Sequence, residues 1–521
     1  MLAGAFAITA TPGPGLDPDA MSYLGAAQSL VAEGTFRTPW APWWSALTNQ
    51  PLTHFPPGFS TAIAIPVWYG LDAIQGARLV QAFSAGVTAL TFVILLWPVA
   101  GGVGAVLAVI ALALMPAFVQ VHLSVLSEPL FLALLVLLLW AMIYRPRSAL
   151  THGLIAAAAT MVRYAGIAFA GAAALWALRD KSASWRLRLT RAAAAIAPSL
   201  LLMATWSVTR SHAPGKAETI RKIALYGNLM PTLREGAKSV AHHLAPTNDW
   251  EAVPRTATVL AIVTLVVLVW STVRAEGEVL PEPSRDDPRW REQREVLRAC
   301  ALLALAYLAL VGASRLFADP NIPLDFRMVV PLAPLAVASV AVVGARAARV
   351  ISTPAKVLGA LAVTGWMGAA VVADYQQVSD ALTFGGDFGT ALWKDSPTLG
   401  WVKQQPTSRT IYTNLPCEIW FQLGQESRAI PTDLADSTMR RFAQRLRDTN
   451  GAMVVWWAQS LETANSDSVA KRAGLVMVAD YPDGTVYVAP PLASNAAAPS
   501  APSPSATGAP SAPIAPAARP R

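Results

Sequence analysis

The sequence predicts a mainly α-helical, polytopic transmembrane bundle of about eleven spans, followed by a small extracytoplasmic α/β module. Three observations carry that expectation. Of 521 residues, 54% are hydrophobic and only 14% charged, whereas a soluble domain carries about 25% charged residues. Apolar runs at 87–99, 104–121, 130–144, 154–177, 192–206, 257–273, 299–311, 329–343 and 358–372 each approach the ~20 residues that cross hydrocarbon. Between them lie four basic clusters: Arg145 with Arg147, residues 179–191, residues 274–298, and Arg346 with Arg349 and Lys356. Clusters so placed mark cytoplasmic loops, so the net charge of +8 reads as topology and not as a nucleic-acid footprint.

Taken in order, the chain opens on an apolar stub, 1–11, of about half a span, with no basic flank and no small-residue cleavage site. The expectation is a start placed too late, cutting the first transmembrane helix. Counting that stub and a tight pair of spans around Arg163, residues 12–57, 211–254, 318–325 and everything after Asp374 fall on the outer side. The 211–254 loop carries Lys216, Arg221, Lys222, Arg234 and Lys238 against this sidedness, but orientation is weighted toward short loops and span ends. Within the first outer loop, residues 20–31 place Met21, Leu24, Ala27, Leu30 and Val31 on one face, as suits a helix lying in the interface. Trp40, Trp43 and Trp44 suit the headgroup zone. An apolar helix at 58–71, after Pro56 and Pro57, is too short to cross and is expected along the surface.

The membrane core therefore spans 1–374, with the first outer loop at 12–57. Residues 375–490 read as an α/β module with strands at 410–412 and 453–456, a basic helix at 436–448, and a hairpin of 475–478 with 485–488 turning at Pro482, Asp483 and Gly484. Residues 491–521, almost entirely Ala, Pro and Ser, cannot build a core and are expected to be disordered. Two cysteines, Cys300 and Cys417, are too few and too differently set for a disulfide framework or a metal cage.

A transporter or flippase needs ionisable side chains through its spans, and these spans are largely clean. The conspicuous polar residues gather at the outer boundary: Asp17, Asp19, His54, Arg78, Glu128, Arg163, Asp325 and Arg327. Asp17, Pro18, Asp19 and Ala20 through Tyr23, then Ala26, Ala27, Leu30 and Gly34, resemble the first-loop motif of the GT-C superfamily of membrane glycosyltransferases. The paired-proline stretch from His54 to Gly58, the span start from Ala77 to Ala85, Ser127 with Glu128, and the stretch from Arg327 to Pro331 are similar to its later landmarks.

The resemblance is to families of the protein mannosyltransferase and lipid A aminoarabinose transferase type, and it covers most of the chain up to Asp374. It implies an inverting transfer of a sugar from a polyprenyl-phosphate carrier to a lipid, glycan or protein acceptor, on the extracytoplasmic face of a plasma membrane. Such a reaction needs one carboxylate as general base and cations for the departing phosphate. A flippase of lipid-linked glycan, or a non-catalytic partner in glycan assembly, is the alternative.

Each candidate has a structural counterpart. Asp19 matches the family's base by its spacing to Tyr23; equally, an Asp before a helix caps it. For Asp17, orienting the acceptor, holding Mg²⁺ or Mn²⁺, and ending a turn with Pro18 all stay open. A guanidinium fork at Arg327 suits phosphate oxygens, against a salt bridge to Asp325 or snorkelling. Arg78 and Arg163 serve the same role or anchor span ends. Glu128 hydrogen-bonds sugar hydroxyls or pairs with an arginine. His54 contacts phosphate or is a satisfied interfacial side chain. His242 and His243 lack a third ligand, so no metal site is assigned. Asn414 reads as a turn residue.

Overall fold

The computed structural model describes residues 13–211, 224–226, 229–244, 288–319, 322, 324–350, 353–406, 409–449, 451–458 and 466–489. Outside them lie the stub at 1–11, the expected span at 257–273, much of the 211–254 loop, the side chains of His242 and His243, and the Ala/Pro/Ser tail.

Helix α1 (Pro18–Glu33) starts where Asp17, in extended backbone, accepts the Ala20 N–H on Oδ1 at 2.7 Å. Pro18 at its first position has no N–H to lose, and Gly34 ends it in the left-handed region at φ 70°. There follow β1 (Arg37–Thr38), β2 (Trp40–Pro42) and β3 (Gln50–Pro51), then α2 (Gly58–Trp68) after the paired prolines. The sequence places α1 in the membrane interface with one apolar face. The structure instead buries every residue from Ala20 to Ala27, against α2 on one side and β1 on another. Small side chains explain this: with Ala20, Ser22, Gly25, Ala26 and Ala27, neighbours approach the helix from all sides.

The helical core continues through α3 (Ala73–Ala113), α4 (Pro116–Leu123), α5 (Glu128–Tyr144), α6 (Ala149–Val162), α7 (Ile167–Leu178), α8 (Trp185–Ser211), α9 (Leu229–Leu244), α10 (Pro288–Phe317), α11 (Phe326–Val329), α12 (Leu332–Val350) and α13 (Thr353–Phe384). Helix α3 breaks at Gly101 (φ 77°, ψ 166°), between two of the predicted runs. Among the described residues, α3, α8 and α10 are long and apolar enough to cross a membrane. Length and composition thus support three spanning helices among the described residues, and they do not establish the count of about eleven spans. Helix α6, for instance, has 14 residues and covers about 21 Å, against roughly 30 Å of hydrocarbon.

Successive helices run between two poles. At one, Gln293 Nε2 donates to Val99 O at 2.7 Å, Arg346 Nε donates to Gln293 Oε1 at 2.9 Å, and Arg179 pairs with Glu295. At the other, Gly15 bridges to Ser124, Arg210 Nη1 donates to Thr53 O at 2.5 Å, and the Tyr307 hydroxyl donates to Met328 O at 2.9 Å. The basic side chains Arg179 and Arg346 therefore lie at the pole opposite the outer-boundary residues singled out from the sequence.

The remaining elements are α14 (Ala391–Lys394), α15 (Pro397–Lys403), β4 (Ile411–Thr413), α16 (Pro416–Leu423), β5 (Ser427–Ala429), α17 (Asp436–Asp448), β6 (Met453–Trp457), α18 (Ser466–Ala473), β7 (Val476–Tyr481) and β8 (Gly484–Val488). They form a six-stranded sheet in the order β2-β5-β4-β6-β8-β7, parallel across its first four strands and antiparallel in the terminal hairpin. Strands β4 and β6 are buried throughout, as central parallel strands are. Helix α17 turns Met439, Phe442, Ala443 and Leu446, at helical spacing, onto Tyr412, Val454 and Trp456.

Helix α17, β6 and the hairpin lie where sequence periodicity predicts them. Strand β2 does not: three residues of the first outer loop pair with β5, Trp40 opposite Ser427, and too short a stretch shows no alternation. Asn414 is corrected as well. Its side chain accepts the Trp457 N–H at 2.9 Å and donates to Trp457 O at 3.0 Å, stitching the end of β4 to the end of β6 in place of shaping a turn.

Residues 385–389 cross directly over residues 14–16. Leu16 bridges to Asp387, Phe388 N–H donates to Leu16 O at 3.2 Å, and a Cβ at Gly386 would lie 2.7 Å from Gly15 Cα. Because the obstacle is backbone, Gly386→Val is expected to cost about 1–3 kcal/mol. Thermal unfolding of the detergent-solubilised chain reads this out, and an unchanged midpoint would contradict the crossing.

Candidate active site

The crossing brings the start of α1 beside the starts of α5 and α11, and there the sequence-distant charges meet. Asp325 caps α11, its Oδ1 accepting the N–H groups of Arg327 at 3.1 Å and Met328 at 3.2 Å. That cap aims the Arg327 side chain toward α1 and α5. Its Nη1 donates to Asp17 Oδ2 at 3.1 Å, Nη2 to Asp19 Oδ2 at 2.7 Å, and Nε to Glu128 Oε1 at 3.0 Å. One guanidinium thus gathers three carboxylates from two helices.

A second guanidinium supports the same centre from beneath. Arg163, in the break between α6 and α7, sets Nη1 2.5 Å from Glu128 Oε1 and donates to Ser127 Oγ at 3.2 Å. The Ser127 hydroxyl in turn lies 3.4 Å from the hydroxyl of Tyr23. Exposure grades the cluster from floor to lip: the Glu128 side chain is 0% exposed, Arg163 12%, Arg327 19%, Asp17 21% and Asp19 31%.

The electrostatics follow from that gradient. Burial works against the Arg327 charge, but Glu128, Asp19 and Asp17 outweigh it and raise its pKa. Burial and the neighbouring Asp19 charge push Asp17 up to about 7, against the pull of Arg327 and the Ala20 N–H. Burial also raises Asp325 and Asp387.

Among the sequence candidates, Asp17, Asp19, Glu128, Arg163, Arg327 and Tyr23 converge. The capping role that competes for Asp19 falls to Asp17. The salt bridge weighed between Arg327 and Asp325 is instead a cap on backbone N–H groups. Arg78 has no ion pair with the cluster among the described residues: it sits half-buried on the second turn of α3, where the charge it feels is that of Asp72. His54 is exposed and packs edge-on to Phe55 at 4.7 Å, and Phe55 lies 4.8 Å from the Tyr23 ring, so it borders the site one ring removed. Asp387 is a member that sequence reasoning missed. It has φ +48°, and its charge contributes to raising Asp17. Gly385, Gly386 and Gly389 around it were the available signal, marking a segment that must approach another backbone.

The carboxylates that would offer a cation its ligands, Asp17, Asp19 and Glu128, point at a guanidinium that already fills the place between them. Among the described residues no group of three or more His, Cys, Asp or Glu is placed to hold a metal ion. This arrangement does not fit Mg²⁺ or Mn²⁺.

Removing the shared floor should be costly. Glu128→Gln leaves Arg163 buried without its carboxylate, a change worth about 3–5 kcal/mol. It is expected to lower the unfolding midpoint far more than Asp19→Asn, and equal shifts would show that Glu128 does not anchor the centre.

No protein-family model and no curated relative matches the sequence. Solved structures do. ArnT from Cupriavidus metallidurans, bound to undecaprenyl phosphate, superposes with a TM-score of 0.59 at 13% identity, over 95% of this chain and 97% of that one. The arabinofuranosyltransferase AftD from Mycobacteria superposes with a TM-score of 0.50 at 15% identity, over 94% of this chain and 41% of AftD. This chain therefore spans under half of AftD's length. The likeness is one of fold, shared with these two membrane proteins.

Proposed function

We propose that this chain, a membrane protein of GT-C fold, is an inverting glycosyltransferase. It moves a sugar from a polyprenyl-phosphate-linked donor to a lipid, glycan or protein acceptor at the extracytoplasmic face of a plasma (inner) membrane. The observation that carries the reading is the convergence of Asp17, Asp19 and Glu128 on Arg327 at one pole of the helices. The undecaprenyl phosphate bound to ArnT supports a polyprenyl carrier. Basic clusters at the opposite pole support the sidedness.

In this reading Asp19 is the base. Asp17 spends one oxygen on capping α1 and the other on Arg327, whereas Asp19 gives only Oδ2 to Arg327, and its Oδ1 has no hydrogen bond among the described residues. As the acceptor hydroxyl attacks the anomeric carbon, its proton passes to Asp19. The new C–O bond forms on the face opposite the breaking one, and the electron pair of the broken bond leaves with the polyprenyl phosphate. A guanidinium has five N–H donors, of which Arg327 commits three to carboxylates. Two remain to neutralise the departing phosphate. Arg163 and Glu128, deeper in the cluster, hold Arg327 in place.

Asp19→Asn is expected to lower transfer from a labelled lipid-linked sugar in membranes by about 10²–10⁴-fold; unchanged transfer would remove the assignment. Asp17 adds a pH signature. Because its pKa is raised to about 7, it loses charge, and with it the grip on Arg327, as pH falls through neutrality. Transfer should therefore fall below about pH 7, and Asp17→Asn should flatten that limb of the profile. A limb that survives the substitution would assign the titration to another group.

A further inference from the structure

A second polar site lies in the sheet region, away from the Arg327 cluster. Thr48, Arg409, Thr410, Gln425, Glu426 and Arg428 line a half-open cavity of about 220 Å³, smaller than the roughly 300–1,000 Å³ of drug-sized pockets and suited to a single sugar unit. Three segments build it: the end of the first outer loop, the approach to β4, and the turn between α16 and β5.

The cavity lining carries two guanidinium groups, Arg409 and Arg428, against one carboxylate, Glu426, and Arg445 lies behind Arg428 on the same loop carbonyl. Arg428 is only 6% exposed. It donates from Nη1 to the carbonyls of Ser45 and Leu47 and from Nη2 to that of Ala46, and its Nε is buried without a partner. Arg445 reaches the same Ser45 carbonyl at 2.9 Å, and its Nε is likewise buried and unpartnered. Neither guanidinium has a carboxylate within ion-pair distance among the described residues. Buried charge of this kind calls for a counter-ion. Glu426 is exposed at the rim, and Arg409 adds a further cation to the lining.

Around these charges stand the hydroxyls of Thr48 and Thr410 and the amide of Gln425, none bonded among the described residues. Ser427, also in the lining, has turned its hydroxyl to Pro416 O at 2.7 Å. A buried guanidinium and a half-exposed one beside hydroxyls and an amide suit a ring that bears both an acid and several hydroxyls. The cavity lies at the amino ends of β4 and β5, whereas ligands of such sheets commonly sit at the carboxyl ends, where Asn414 ties β4 to β6.

We propose that this cavity is a subsite for an acidic sugar unit, a hexose bearing a phosphate ester or a carboxylate, in the acceptor glycan. The acceptor role rests on the glycosyltransferase reading; the binding does not. Helix α16, which leads into the cavity, packs on α1, the helix that carries Asp19.

Binding of glucose 6-phosphate, glucuronic acid, glucose and inorganic phosphate to the full chain in detergent, followed by saturation-transfer NMR and titration, tests this. The expected order is glucose 6-phosphate and glucuronic acid ahead of glucose by at least about tenfold, as loss of a charge-assisted contact requires. Arg409→Ala should weaken both acidic sugars by a similar factor, and Glu426→Gln should tighten them by removing a like charge. Inorganic phosphate binding as well as the ester would reduce the site to a simple anion hole. Equal binding of glucose, or no binding of any probe by a chain with unchanged thermal unfolding, would overturn the proposal. Lipid-linked transfer in the same preparation separates the two readings: transfer without sugar binding removes only the subsite, and binding without transfer removes its acceptor role.

Discussion

The structure of the candidate site depends on one guanidinium. Arg327 sits where an unpaired charge would be expensive at the edge of an apolar bundle, and three carboxylates from two helices neutralise it. The same bonds fix the mutual positions of α1, α5 and α11. Because Glu128 is shared with Arg163, the break between α6 and α7 is coupled to them. Removing one member of such a group leaves another charge buried without a partner, so the cluster holds together as a unit.

A second constraint ties the outer elements to that centre. Strand β2, in the loop directly after α1, is the edge of the sheet to which β5, β4 and β6 belong. Arg428 and Arg445 grip the carbonyls of residues 45–47 further along the same loop, and residues 385–389 cross over the residues before α1. The segment that carries Asp17 and Asp19 is thus held at both ends by chain distant in sequence. A loop fixed in this way presents its carboxylates in one geometry, which a reaction governed by positioning requires.

Much of this was legible in order along the chain. Apolar runs placed the helices of the core, the Pro482, Asp483 and Gly484 turn placed the hairpin, and the alternation of apolar and basic segments placed two poles. Charge isolated at the ends of the apolar runs singled out Asp17, Asp19, Glu128, Arg163 and Arg327, which do meet. The errors have a common physical origin. Helix α1 was read as interfacial because periodicity reports which residues are apolar, but not how closely small residues let neighbours approach. Strand β2 and Asp387 escaped because their placement depends on contacts to residues hundreds of positions away.

The sequence by itself determined that this is a membrane-embedded helical protein with acidic and basic side chains gathered at the ends of its apolar runs, since hydropathy and charge segregation are local properties that any fold of the chain must obey. Only the tertiary structure decided that Asp17, and not Asp19, caps α1. It alone decided that Arg327 is gripped by Asp17, Asp19 and Glu128 with Arg163 beneath, and that the first outer loop is sewn into the distal sheet. Those pairings join residues as far apart as 17 and 327, and separation along the chain carries no information about distance in space until packing brings the ends of helices together.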